Sequence, residues 1–171
     1  TVGETRELKS IPMATAQNNL SDYDASEVPS GEGLRIALVV SEWNVAITEG
    51  LYRGAEETLL AHEVAPEQIS RINVPGSFEL VYGCKIAQQQ ADVVIAIGSV
   101  IQGETKHFDF VCQGVTQGIV QLNLNAAVPV IFCVLTDNTL EQAQARSGGV
   151  HGNKGVEAAV AALKMAALNR L

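Results

Sequence analysis

Positive charge is scarce in this sequence. Its 171 residues carry 11 Lys and Arg against 19 Asp and Glu, a formal net charge of −8. A chain of that sign has no general basic face for nucleic acid. Long apolar runs are missing too: none reaches the roughly 18 residues that mark a membrane span. No secretory-signal pattern is present. Cysteine is rare and odd in number, with Cys84, Cys112 and Cys133 only. No pair of them has metal-ligand spacing, so they read as buried free thiols in a reducing compartment. The expectation is a cytoplasmic protein without nucleic-acid or membrane partners. What is abundant is apolar: 47% of residues, with 18% charged, enough for one domain with its own core. Aromatics make up only 5%, with Trp43 the single tryptophan.

The chain is organised around residues 93–110. Val93 to Ile97 is an uninterrupted, β-branched-rich apolar run, the pattern of a strand covered on both faces. It is expected to break at Gly98, pass through a polar loop containing Gly103, and enter a helix. Phe108, Val111, Val115, Ile119 and Leu122 recur there at spacings of three and four. A strand, a glycine-bearing loop and a helix start together present backbone N–H groups to an anion, and the helix dipole adds to the attraction.

Around that unit the chain alternates. Leu34–Val40, Arg71–Val74 and Val130–Leu135 read as further strands. Helices are marked by Ile47, Leu51, Ala55 and Leu59; by Leu80, Val81, Cys84 and Ala87; and by Val156, Val160, Leu163 and Ala167. A short helix capped by Asn138 or Thr139 precedes the last, with Gly148 and Gly149 as the interruption. Such alternation implies an α/β fold, a four-stranded parallel sheet with helices on both faces. Residues 1–33 are polar and show no sustained period. They read as an extension that is mostly disordered alone, and residues 34–171 as the single domain.

In sheets of this kind the ligand lies beyond the carboxyl ends of the strands. That selects the loops Ser41–Asn44, Pro75–Glu79, Gly98–His107 and Thr136–Asn138. Trp43 is either an aromatic packed on its own helix or a platform for a planar heterocycle, with Asn44 at its edge. Glu79, expected in the first turn of a helix opened by Gly76-Ser77-Phe78, is either a dipole partner or an acceptor for alcohols. His107 stands in the first turn of its helix. There the dipole disfavours the imidazolium, so a neutral ring suited to proton transfer is expected. Arg146 is a candidate phosphate guanidinium. Lys154 sits at a helix start, which the dipole does not favour for a cation, so an anionic partner is expected. His62 and His151 receive no role.

Five ordered motifs then bear on identity: Ser-Glu-Trp-Asn at 41–44, Val-Pro-Gly-Ser-Phe-Glu at 74–79, Ile-Gly-Ser-Val-Ile-Gln-Gly-Glu-Thr-Lys-His-Phe-Asp-Phe at 97–110, Leu-Thr-Asp-Asn-Thr-Leu-Glu-Gln-Ala at 135–143 and Gly-Asn-Lys-Gly at 152–155. From about Leu34 to Leu168 the chain resembles the lumazine synthase family, transferases of riboflavin biosynthesis. The resemblance implies a three-layer α/β/α sandwich of the flavodoxin-like type. It implies condensation of 5-amino-6-(D-ribitylamino)uracil with 3,4-dihydroxy-2-butanone 4-phosphate to 6,7-dimethyl-8-ribityllumazine, without metal or organic cofactor.

By the same resemblance Trp43, where the family usually has phenylalanine, stacks on the pyrimidine. Ser77 and Glu79 hold the ribityl chain with Asn44 nearby, Gly76 and Phe78 between and beside them also bind substrate, and Ser99, Val100 and Ile101 line the ring pocket. Glu104 and Thr105, with Arg146, hold the phosphate. His107 moves protons, and Phe132, Arg146 and Lys154 arrive from the adjacent subunit. A homopentamer follows, and a closed shell of about sixty subunits, because the stretch from Arg146 to Lys154 has no insertion. Riboflavin synthase is a candidate enclosed partner. Two other classes stand beside the enzyme: a relative that binds flavin or lumazine without turnover, and a mainly structural shell. A turnover assay and co-purification separate them.

Overall fold

The computed structural model describes residues 19–170. The main elements are β1 (Ile36–Ser41), α1 (Val45–Ala61), β2 (Ile69–Val74), α2 (Leu80–Ala87), β3 (Val93–Ile101), α3 (His107–Asn125), β4 (Val130–Asp137), α4 (Leu140–Arg146) and α5 (Lys154–Leu168). Between α4 and α5 a small antiparallel hairpin, β5 (Ser147–Gly149) with β6 (Gly152–Asn153), replaces the plain interruption expected at Gly148-Gly149. Gly152 turns that hairpin at φ +81°, a conformation side chains rarely adopt.

The four long strands are parallel, in the order β2-β1-β3-β4. This is the order of flavodoxin-like, doubly wound sheets. The central strands β1 and β3 are buried on both faces, which explains why their sequences run apolar rather than alternating. Successive residues serve opposite layers. Ile36, Leu38, Val40, Ile95 and Ile97 join Leu51, Leu59, Ala143, Ala159 and Leu163 of α1, α4 and α5. Ala37, Val39, Val94 and Ala96 join Leu80, Cys84, Val115 and Ile119 of α2 and α3. Each fully buried leucine or isoleucine contributes about 1.5–3 kcal/mol, so both layers are anchored on the two central strands. The edge strand β2 is dressed with charge: Arg71 pairs with Glu49 and lies 4.4 Å over the ring of Tyr52, which blunts an open edge.

Three expectations change here. β3 does not break at Gly98 but runs on to Ile101, pairing with β4 as far as Asp137. The glycine is a place of close approach: a Cβ there would lie 2.6 Å from Ser77 Oγ and 2.8 Å from Leu80 Cδ1. Second, the part of the polar extension described, residues 19–33, is packed on its own chain. Leu20 is buried and its N–H donates to the His151 carbonyl at 2.8 Å, while Asn153 N donates to Ser21 Oγ at 3.0 Å. A 3-10 turn at Ala25–Glu27, capped by Asp24, follows. The remainder of the extension lies outside the described residues. Third, Cys84 and Cys133 are buried but Cys112 is only half-buried, because it stands beside the α3 stripe of Val111, Val115 and Ile119 rather than on it. All three are free thiols. Burial pushes Cys84 and Cys133 up to about 12, and it raises Cys112 as well, helped by the charge of Asp109. Among the described residues no helix is long and apolar enough to cross a membrane.

Candidate active site

A cleft of about 730 Å³ lies beyond the carboxyl ends of β1 and β3, where the strand order reverses. That is the crevice where doubly wound sheets bind ligands, and the volume suits a small molecule. Trp43 and Asn44, which follow β1, form one side. Ser99, Val100 and Ile101 of β3 form the floor. Gly76, Ser77, Phe78 and Glu79, which follow β2, form the opposite side. Gly103, Thr105 and His107 close it with Phe108, Phe110 and Val111 of α3.

The first side is held by an unusual residue. Asn44 caps α1 from the left-handed region, φ 57° and ψ 50°, where asparagine is enriched among non-glycine residues. Its Nδ2 donates to the Ser99 carbonyl at 2.9 Å, tying the loop to the floor. Trp43 beside it is 71% exposed. The indole therefore does not pack away on its own helix, and its face is available to the cleft.

The opposite side supplies polar groups. Ser77 and Ser99 are buried, and neither hydroxyl has a hydrogen-bond partner among the described residues. An unmade hydrogen bond of a buried group costs about 1–3 kcal/mol, so both hydroxyls gain from any ligand that pairs with them. The α2 helix begins at Leu80, later than the opening expected at Gly76-Ser77-Phe78, which makes Glu79 its N-cap rather than a first-turn residue; the side chain makes no cap hydrogen bond. Gly98 allows the Ser77 turn to reach β3, so the corrected strand end and this wall have one cause.

The loop after β3 is now residues 102–106. Gln102 N donates to the Asp137 carbonyl at 2.9 Å. The N–H groups of Gly103, Glu104 and Thr105 donate to no acceptor among the described residues, which leaves an array fit for an anion. Glu104 is exposed and its residue does not line the cleft, whereas Thr105 does. His107 is the first residue of α3, exposed, with its backbone N–H 3.4 Å from Thr105 Oγ1.

Three expected residues stand elsewhere. Arg146 ends α4 on the α1/α5 side of the sheet. Its Nη1 donates to the Gln142 carbonyl at 3.1 Å and lies 3.9 Å from Asp137 Oδ1. Lys154 opens α5 and pairs with Glu157. Phe132 is half-buried in β4, against a second depression with Met165 and Leu168. Within one chain, then, the cleft holds the expected stacking, hydroxyl and anion groups but not Phe132, Arg146 or Lys154.

Sequence reasoning missed Phe110 and Asp137. Phe110 is 70% exposed in the cleft wall; the signal was an aromatic one step off the apolar stripe of α3. Asp137 is buried although charged. Strand parity marks it, since Cys133, Leu135 and Asp137 must share one face. Burial raises its carboxyl above the ordinary value, and the Arg146 charge acts the other way. No group of three or more His, Cys, Asp or Glu placed to hold a metal ion occurs among the described residues.

A model of the 6,7-dimethyl-8-ribityllumazine synthase family matches residues 33–170. The chain belongs to that family. Proteins named 6,7-dimethyl-8-ribityllumazine synthase are similar over most of their length. The one from Christiangramia forsetii is 60% identical over 161 residues, covering 92% of this chain and 96% of its own. That from Flavobacterium johnsoniae is 62% identical over 156 residues, 90% of this chain and 82% of its own. That from Porphyromonas gingivalis is 58% identical over 161 residues, 93% of this chain and all of its own. The parallel sheet and its flanking helices agree with membership of the lumazine synthase family, and the matched segment contains every residue of the cleft.

Proposed function

We propose that the protein condenses 5-amino-6-(D-ribitylamino)uracil with 3,4-dihydroxy-2-butanone 4-phosphate, forming 6,7-dimethyl-8-ribityllumazine and releasing phosphate and water in riboflavin biosynthesis. One observation carries this reading beyond family membership. A single cleft combines an exposed indole with two buried hydroxyls and a loop of N–H groups, ending at a histidine, that have no partner among the described residues. These suit, in turn, a planar ring, a polyol and a phosphate.

In this reading Trp43 stacks on the pyrimidine, above a floor of Ser99, Val100 and Ile101. Gly76, Ser77, Phe78 and Glu79 hold the ribityl chain, and Asn44 fixes the loop beside it. The backbone of Glu104 and Thr105 receives the phosphate. The substrate amine attacks the ketone and the adduct loses water to give an imine. Removal of a proton beside the imine expels phosphate. The enol so formed tautomerises to a methyl ketone, and the ribityl-bearing nitrogen closes the ring on that new carbonyl with loss of a second water. His107 is placed to take and return protons in the first two stages, and the N–H loop stabilises the departing phosphate. Much of the acceleration comes from holding two reactive molecules together.

Phe132, Arg146 and Lys154 complete the site from a neighbouring chain, which makes a homopentamer the smallest functional unit. Closure into a shell of about sixty subunits, cytoplasmic location and an enclosed riboflavin synthase belong to the same proposal. Native mass spectrometry reads the assembly. The test of function is turnover: with both substrates, lumazine and inorganic phosphate appear together, and omission of either substrate abolishes both. Tight binding of the product without turnover would make the protein a binding relative instead.

A further inference from the structure

Asp137 is the one charged side chain buried among the described residues, and the proposed reaction does not use it. It ends β4 and is 6% exposed. Its Oδ2 is fully buried without a hydrogen-bond partner among the described residues, and its Oδ1 faces Arg146 Nη1 at 3.9 Å. Burying a carboxylate is costly unless a charge answers it, and Arg146, half-buried at the end of α4, is the cation that does. The contact is too long to be a two-pronged pair, which would occupy the guanidinium fork. Instead one Nη is anchored, by the Gln142 carbonyl at 3.1 Å, with the carboxylate close by. The other donors of the fork are left to meet an anion. β4 is held to β3 through the Ile101–Asp137 pairing, so the carboxylate stands on the rigid sheet, whereas Arg146 ends a short helix.

We infer that Asp137 is a positioning residue: it directs the Arg146 guanidinium, fixed on the sheet edge by charge rather than by full pairing, toward the phosphate-bearing substrate in the neighbouring chain's cleft. This rests on the assignment of Arg146 to that phosphate in the proposed function. Loss of the carboxylate lets the guanidinium swing, so binding of the phosphorylated substrate suffers while the pyrimidine and the proton-transfer steps do not.

Steady-state kinetics of the assembled protein test it, with Asp137→Ala, Asp137→Asn, Arg146→Ala and the double variant Asp137→Ala/Arg146→Ala. Asp137→Ala is expected to raise KM for the phosphorylated substrate about tenfold, the order of one charge-assisted hydrogen bond. KM for the pyrimidine and kcat stay within about twofold, and Asp137→Asn, which keeps the shape but not the charge, shows most of the same loss. In the Arg146→Ala background, removal of Asp137 adds less than about twofold. A tenfold effect that persists without Arg146, or one that falls on kcat or on the pyrimidine, overturns the positioning role while leaving Arg146 as the phosphate ligand. If Arg146→Ala leaves KM for the phosphorylated substrate unchanged, that assignment falls and the inference falls with it. Should Asp137→Ala not fold, the near-isosteric Asp137→Asn carries the same comparison: an unchanged KM for the phosphorylated substrate together with an effect elsewhere overturns the role.

Discussion

Asn44 and Ser99, 55 positions apart in the chain, are joined by one hydrogen bond of 2.9 Å from the Asn44 amide to the Ser99 carbonyl. This bond fixes the loop after β1 to the end of β3 and so sets where Trp43 stands over the cleft. Asn44→Ala loses the bond and places an alanine at φ 57°; each change costs about 1–2 kcal/mol. Asn44→Gly is expected to recover the backbone part of the stability loss but not the bond. Denaturant midpoints check the stability, and the pyrimidine KM, raised in both variants, checks the site. Equal stability of the alanine and glycine variants would show that the left-handed backbone carries no cost.

Gly98 lies where the Ser77 turn meets β3. A methyl there approaches Ser77 Oγ to 2.6 Å and Leu80 Cδ1 to 2.8 Å. Gly98→Ala is therefore expected to lower stability by about 1–3 kcal/mol through overpacking and to displace Ser77 from the cleft. Thermal melting and the KM of the ribityl substrate read the two effects. An alanine variant that keeps both wild-type values would show that the turn shifts freely.

His107→Ala should slow turnover and leave pyrimidine binding nearly intact. General acid–base groups contribute about 100- to 10,000-fold. The low end is expected, because His107 is exposed and solvent reaches the same protons. Single-turnover rates at saturating substrates decide it, and an unchanged rate removes His107 from the mechanism.

Asp137 gives the pH dependence its sign. Burial holds its carboxyl above the ordinary value of 3.8, with Arg146 acting in the opposite direction. A folded-state value above the unfolded one means that the ionised form costs stability. The cost is fully present above the raised folded-state pKa and fades as pH falls through it toward 3.8. Asp137→Asn is thus expected to melt no lower than the parent at pH 7, with any advantage shrinking in acid. Melting temperatures of the two proteins across acid to neutral pH test this. A variant markedly less stable at pH 7 would mean that the pairing with Arg146 outweighs burial.

Much of this arrangement was legible in the chain. The apolar runs of β1 and β3 and the three- and four-residue spacing in α3 announced buried parallel strands with helical cover. The strand-end rule then found the cleft loops. Gly98 was misjudged because glycine in an apolar run signals a break and a close approach equally well, and only Ser77, 21 positions earlier, distinguishes them. The packing of Leu20 and Ser21 on the β5–β6 hairpin is invisible to local pattern, since single contacts across more than 130 positions leave no period. Asp137 was readable by parity, but the apolar run of β4 ends at Leu135, which put Asp137 in the following loop although the strand continues through it.

The claim on which the account turns is that two chains share each site, Trp43 and His107 from one and Arg146 from the next. Co-assembly of the two inactivated variants, His107→Ala and Arg146→Ala, tests it most directly. Alone, each is slow when the phosphorylated substrate is held below the raised KM of Arg146→Ala. Mixed in equal amounts and reassembled, about a quarter of the sites combine an intact His107 with an intact neighbouring Arg146, and lumazine formation should rise to about that fraction of the parent rate. If both residues act within one chain, no mixture contains an intact site. Activity would then stay at the average of the two variants, contradicting the shared site.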